Sequence, residues 1–218
     1  MFESVRVVGK GRVGSAVAAR LEQRGLTLRL DGADLVLLCV PDTAISAVAA
    51  GIPLGPWIAH VSGATPLESL DPHARRFGVH PLQTFTRDRG AEQLDGAWAA
   101  VTAASDEARV RGRWLAEILG LFPFELRDDA RGLYHAGAVI ASNYLVTLHH
   151  AASRLLQMAG APPEALVPLM RRTIDNGFQL TGPIARGDHS TVDAHLTELR
   201  AHAPDLEAVY RALAAITG

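Results

Sequence analysis

A chain of 218 residues with a formal net charge of -2 and 20% charged residues has no basic excess with which to hold nucleic acid by its phosphates, and aromatic platforms for stacking bases are also missing. No run approaches the roughly 18 apolar residues of a membrane span, and a single cysteine excludes an internal disulfide. That Cys39 lies inside the apolar run LVLLCV, where a thiol is expected to be buried and inert. The N-terminus passes into VRVVG without a signal-peptide pattern, from which a cytoplasmic protein is expected.

Residues 5 to 9 read as a buried strand and residues 12 to 24 as a helix stopped by Gly25. LTLRL, Leu26 to Leu30, occupies the place of a second parallel strand, but only Asp31-Gly32-Ala33 separates it from the next strand-forming segment, which begins at Asp34. A parallel crossover needs about a dozen residues or more, whereas three extended residues reach about 10 Å. LTLRL is therefore expected to be an abbreviated or antiparallel edge segment. The apolar run Leu35 to Val40 then lies beside the first strand, with residues 12 to 24 as the crossover helix, and ends at Pro41-Asp42 before a helix near residues 43 to 50. Strands follow at 57–61 and 77–79, linked by a helix starting near Leu67. A strand at 97–102, a helix at 106–119 and a strand at 122–126 complete the alternation expected of a doubly wound parallel sheet.

Beyond Asp128-Asp129 the pattern turns helical. One proline-free segment, 129 to 159, is closed by Gly160 and Pro162-Pro163, and helices follow near 163–180, 190–201 and 204–216. Asp188 or Ser190 suits a helix cap. Two domains are expected, 1–127 and 128–218.

Gly9, Gly11 and Gly14 satisfy G-x-G-x-x-G between a strand and a helix. The first glycine permits a tight turn, the second lets a pyrophosphate approach the backbone, and the third lets helix and strand pack closely. The expected cofactor contacts are Gly9, Lys10, Gly11, Arg12, Val13 and Gly14, with Val40 and Pro41 at the end of the neighbouring strand. A purely structural turn is the alternative, as is plain surface solvation for Lys10 and Arg12. The fingerprint also asks for an acid about 20 residues on, to hold a ribose. Asp31 has the spacing, but the short connection puts it near the wrong end of the sheet, as a solvated turn acid.

In open α/β sheets ligands bind outside the carboxyl ends of the strands. Ser62, Gly63, His80 and Gln83 follow strand ends and should converge there. On the long helix, His135 and Ser142 nearly share a face and Asn143 lies about 80° round, at about 100° per residue. A hydride transfer to a carbonyl needs a proton donor and a group to orient the oxygen. His135 suits the first role and Asn143 or Ser62 the second, with His80, Gln83 and Ser142 as substrate contacts. Each has a structural alternative: His135 and Asn143 as contacts between domains, His80 as the extended residue that precedes Pro81. His149 and His150 point apart on a helix, and no set of residues shows zinc spacing.

By HPLQTF (His80–Phe85), YHAGAVIASNYL (Tyr134–Leu145) and LTGPIARGD (Leu180–Asp188) the chain resembles, over nearly its whole length, a bacterial family that pairs a Rossmann-like domain with a helical C-terminal domain long labelled as of unknown function. Its relatives are the 6-phosphogluconate dehydrogenase-like reductases, including pyrroline-5-carboxylate reductase and the NADP oxidoreductases that use a deazaflavin, and some members are regarded as ketopantoate reductases. The resemblance implies a truncated Rossmann-like parallel sheet followed by an all-helical domain of the 6-phosphogluconate dehydrogenase C-terminal kind. It also implies NADP- or NAD-dependent reduction of a small anionic carbonyl or imine at the interdomain crevice, and a homodimer formed through the helical domains. Two departures stand out. About 20 residues are absent before DLVLLCVP, and Val139 stands four residues before Asn143 where the wider superfamily often has a catalytic lysine. They motivate a second reading, a non-catalytic binding or regulatory dimer that has lost full dinucleotide binding and holds a smaller phosphate-bearing ligand.

Overall fold

The computed structural model describes residues 1–217, which fall into two compact units divided between Ser142 and Asn143. The first unit holds a seven-stranded sheet in the order β2-β1-β3-β4-β5-β6-β7, made of β1 (Ser4–Val8), β2 (Thr27–Leu28), β3 (Leu35–Leu38), β4 (Trp57–His60), β5 (Arg76–Leu82), β6 (Trp98–Ala103) and β7 (Phe122–Glu125). Helices α1 (Arg12–Gln23), α2 (Ile45–Ala50) and α3 (Asp106–Ile118) cover its faces. The four residues of β3 are all buried because both faces are covered, and their side chains alternate between two cores. Leu35 and Leu37 join Val17, Leu21, Phe77 and Leu115 on one side, while Val36 and Leu38 join Ile45, Ile58 and Leu70 on the other. Each fully buried leucine of this kind contributes roughly 1.5–3 kcal/mol.

The small residues of α1 face the sheet, and the buried Arg20 on the same helix ties down the far segment. It donates to Asp95 (2.7 Å), the Ala91 carbonyl (2.8 Å) and the Leu119 carbonyl (3.2 Å). Cys39 is buried, and that burial pushes its thiol up to about 12, so it is inert as expected.

LTLRL does form an abbreviated edge strand, and of the two expected forms the antiparallel one is overturned: β2 runs parallel to β1, with Ser4 opposite Thr27 and Val5 opposite Leu28. The dozen-residue crossover is not needed, because β2 stops at the level where β3 starts. Val5 pairs with Leu28 on one side and Leu35 on the other, so the chain has only to pass beneath one strand, a lateral distance of about 10 Å. Asp34 anchors the return by accepting hydrogen bonds from Glu3 N (3.0 Å), Ser4 N (2.9 Å) and Ser4 Oγ (2.9 Å). These bonds hold its carboxyl below the usual carboxylate range.

The sheet is not parallel throughout. β6 pairs antiparallel with β5, because the connection between them contains only a 3-10 turn, Ala91–Leu94, and no helix crosses the sheet there. The helix expected near Leu67 is likewise a single 3-10 turn, Leu67–Leu70.

The long segment from 129 is helical but not uniform. It contains α4 (Arg131–Val139), a π-helical turn (Ile140–Tyr144) and α5 (Leu145–Met158). The second unit comprises α5, α6 (Leu166–Asp175), α7 (His189–His202) and α8 (Glu207–Thr217). Asp188 is the cap of α7, accepting from Thr191 N at 3.1 Å, and bonds from Thr191 and Ser190 hold it down to about 2. The only buried apolar side chains among its described residues are Leu166, Leu196, Leu199 and Ala203, whereas Val146, Met158, Leu169, Ile174, Phe178, Leu180 and Ile216 are exposed. No helix of the described residues is long and apolar enough to cross a membrane.

Candidate functional site

The glycine loop runs from the end of β1 into α1, and its three glycines have different surroundings. Gly9 has φ +112°, and a Cβ there would collide with the Cys39 carbonyl oxygen; a Cβ on Gly14 would collide with the Gly9 carbonyl oxygen. Both are demanded by the close approach of the loop, α1 and β3. At Gly11 nothing lies within 4 Å of where a Cβ would be. Gly11 is also the N-cap of α1, where no side chain caps the helix and the first turn has no acidic residue. The open N-terminus therefore offers backbone donors and the positive end of the helix dipole to an anion. Lys10 and Arg12 are exposed beside it, Val13 packs on the core, and Val40 packs against the opposite core with the exposed Pro41 after it. The loop fits a phosphate group. Asp31 does not belong to it. Its exposed carboxylate lies 3.8 Å from Arg6 and lines, with Phe2, Trp57 and Arg111, a cavity of about 580 Å³ at the amino ends of the strands.

A second polar cluster lies three strands over, about 14 Å at ordinary strand spacing. It is built on rows of residues in register. Gly78 pairs with Thr102, and His80 with Ala100, which pairs in turn with Phe124. Arg131, at the start of α4, is 1% exposed and meets the first row: Nη1 donates to Thr102 Oγ1 at 2.7 Å and Nη2 donates to the Ser62 carbonyl. The absent side chain of Gly78 makes room, since a Cβ would sit 3.1 Å from Nη1. One turn on, Tyr134 meets the second row, with its hydroxyl 2.7 Å from His80 Nδ1 and its ring against Phe124. His135 brings its ring centroid to 6.1 Å from that of His80. Both imidazoles press on Gly63, where a Cβ would lie 2.7 Å from His135 Cδ2 and 2.9 Å from His80 Nε2.

His60, at the end of β4, is fully buried and accepts from Ser62 N at Nδ1 (3.2 Å). Its Nε2 is buried with no partner. Burial, then the Arg131 charge and His80, hold His60 down to about 3. Burial, then His135 and Arg131, hold His80 down to about 4, with Asp42 pulling the other way. Burial pushes the Tyr134 phenol up to about 12 against the Arg131 charge, and burial lowers Arg131 itself.

Of the residues singled out in the sequence, His80, His135 and the turn at Ser62 come together. The Ser62 hydroxyl is engaged in that turn, with Asp42 Oδ2 at 2.8 Å, Thr65 Oγ1 at 2.9 Å, and bonds from Ala64 N and Thr65 N. Gln83 is exposed and shapes its own loop, donating to the Gln93 carbonyl at 3.1 Å and accepting from Thr84 N. Ser142 and Asn143 fall in the π turn, so the angles of a uniform α-helix do not relate them to His135. The Ser142 hydroxyl donates to the Ala138 carbonyl at 2.7 Å, and Asn143 opens the second unit. Sequence reading missed His60, Tyr134 and Arg131. A signal for the last was present in DDARGLYH: a cation in the first turn of a helix opposes the helix dipole, and here it is held by its hydrogen bonds to Thr102 and the Ser62 carbonyl.

A parallel-dominated sheet with a glycine-rich first turn, followed by helices, is a Rossmann-like architecture. Residues 97–217 match the domain of unknown function DUF2520, more than half of the sequence, and the chain belongs to that family. No curated protein matches it in sequence. Solved structures share the fold. A Bacteroides fragilis protein to which NADP oxidoreductase activity is ascribed is 20% identical with a TM-score of 0.80, covering 98% of this chain and 96% of its own. Protein TM1727 of Thermotoga maritima is 23% identical with a TM-score of 0.78, covering 97% and 96%. The 1-pyrroline-5-carboxylate reductase of Streptococcus pyogenes is 17% identical with a TM-score of 0.62, covering 98% and 96%.

Proposed function

We propose that this protein is an oxidoreductase that uses NADP or NAD to reduce a small anionic carbonyl or imine of the ketopantoate kind. The observation that carries the reading is the contrast inside the glycine loop: the protein fills the space beside Gly9 and Gly14 and leaves it open beside Gly11, at an uncapped helix N-terminus. Gly9 to Gly14 would hold the phosphates, with Val40 and Pro41 alongside. The bound cofactor would supply a hydride. The chain supplies the rest: His135 as proton donor, and His80 as a substrate contact beside the turn that Ser62 builds. The names of the fold relatives agree with this reading without carrying it.

Titration of the purified protein with NADPH and with NADH tests it. Saturable binding of either is expected, and Gly11→Trp is expected to abolish that binding while leaving thermal stability nearly unchanged. Absence of binding by both cofactors would sink the reading. The two-residue β2 and the position of Asp31 favour the second reading, a binding protein for a smaller phosphate-bearing ligand; inorganic pyrophosphate binding without nicotinamide binding is its mark. We also read the exposed apolar side chains of α5, α6 and α8 as the face of a homodimer. Light scattering should return the mass of two chains, and a single-chain mass at all concentrations would overturn this.

A further inference from the structure

The side chains at the carboxyl ends of β4 and β5 offer hydrogen-bond donors with few acceptors to meet them. Arg131 spends two N–H groups on Thr102 and Ser62, its Nε has no partner, and Asp128 stands 4.0 Å away with both oxygens turned to Leu67 N. His60 accepts at Nδ1, so its proton sits on the buried, unpartnered Nε2. The His80 ring is fixed from its other side. Its Nδ1 lies 2.7 Å from the Tyr134 hydroxyl, and between a phenol and a neutral imidazole nitrogen the phenol is the stronger donor and the nitrogen the stronger acceptor. Tyr134 therefore donates, and the proton of His80 is on Nε2, the atom beside Gly63 and His135.

We infer that His80 Nε2–H is a fixed, uncharged donor for an oxygen of a small 2-oxo acid or related carboxylate, with Tyr134 as the residue that positions it. The groups facing His80 are Tyr134, His135, Arg131, His60 and Asp42. Their balance, with burial, keeps the ring neutral at physiological pH, so it acts by hydrogen bonding and not by charge. The charge comes from Arg131. The guanidinium is 1% exposed, and the carboxylate paired with it, Asp128, lies 4.0 Å from Nε with both oxygens shared with Leu67 N, so its charge is only partly offset and an anionic ligand adds to that pairing. This deepens the reductase reading for the same site but does not require the dinucleotide.

Long-range proton–nitrogen spectra of protein labelled with ¹⁵N-histidine test it, with His80 assigned by the signal lost in His80→Gln and oxalate as the carboxylate probe. The expected result is an Nε2–H tautomer for His80 that does not titrate between about pH 5 and 8, and a saturable shift of its signal on adding oxalate. Tyr134→Phe should blur the tautomer preference and weaken oxalate about tenfold, the loss of one hydrogen bond. An Nδ1–H tautomer, titration within that range, no response to oxalate, or an equal response to sulfate would each overturn the inference. None of these readouts needs nicotinamide, so a failure to bind NADPH removes the reductase reading and leaves this one standing, and the reverse holds as well.

Discussion

The glycine loop and the β5–α4 cluster both present donors at the carboxyl edge of one sheet, by opposite means. The loop uses backbone N–H groups and an emptied space, all within the six residues from Gly9 to Gly14. The cluster uses side chains of His60, His80, Arg131 and Tyr134, brought together across 69 positions between Ser62 and Arg131 and 54 between His80 and Tyr134. The first is set by contacts of backbone on backbone at Gly9 and Gly14, which leave no room for a side chain there, while Gly11 faces open space. The second is a group of buried polar atoms, two of them without partners, whose cost to stability is a reason to look for its use.

Four perturbations can break or sharpen this contrast. The largest effect is expected from Gly14→Val, which drives a side chain into the Gly9 carbonyl oxygen and against Cys39 and should cost about 3 kcal/mol or more in urea unfolding. Gly11→Ala should stay within about 1 kcal/mol, and equal losses at the two positions would end the claim that only Gly11 faces open space. The next effect is a pH dependence. His60 and His80 are held at about 3 and about 4 in the fold against an ordinary 6.5, so between those limits the unfolded chain binds more protons. Stability is then complete above about pH 6.5 and falls as the pH drops toward 4, by an amount on the order of 2 kcal/mol for each histidine at pH 5. Melting temperatures across that range should show the slope, and His80→Gln should flatten it.

Arg131→Met comes third. A residue this buried would ordinarily be costly to replace, but the carboxylate paired with this guanidinium, Asp128, is 4.0 Å away and shared with Leu67 N, so the pair contributes little and the change in stability should be about 1 kcal/mol or less while the response to oxalate disappears. A large loss of stability would make Arg131 a structural residue. The smallest effect belongs to the second unit: Arg154→Ala removes an exposed ion pair with Asp205 and should leave the urea midpoint within the scatter of repeat measurements.

The glycine loop, the strands up to residue 126, the helices α1, α2 and α3 and the turn to helices beyond Asp129 could all be read from the sequence. So could the truncation after α1, from the three residues between Leu30 and Asp34. The direction of β2 could not, because the crossover rule assumes that a strand climbs the sheet, and a two-residue strand does not. The reversal between β5 and β6 was hidden because residues 83–97 lack the periodicity that would separate a loop from a short crossover.

The sequence by itself determined which backbone could hold a phosphate, since glycine spacing, strand periodicity and helix starts depend on neighbours a few positions away. Only the tertiary structure decided which side chains of α4 meet the carboxyl ends of β4 and β5. Arg131 reaches the Gly78–Thr102 row and Tyr134 reaches His80 because α4 packs there. No local pattern encodes that contact, because it depends on the register of three strands and the space left by Gly63 and Gly78.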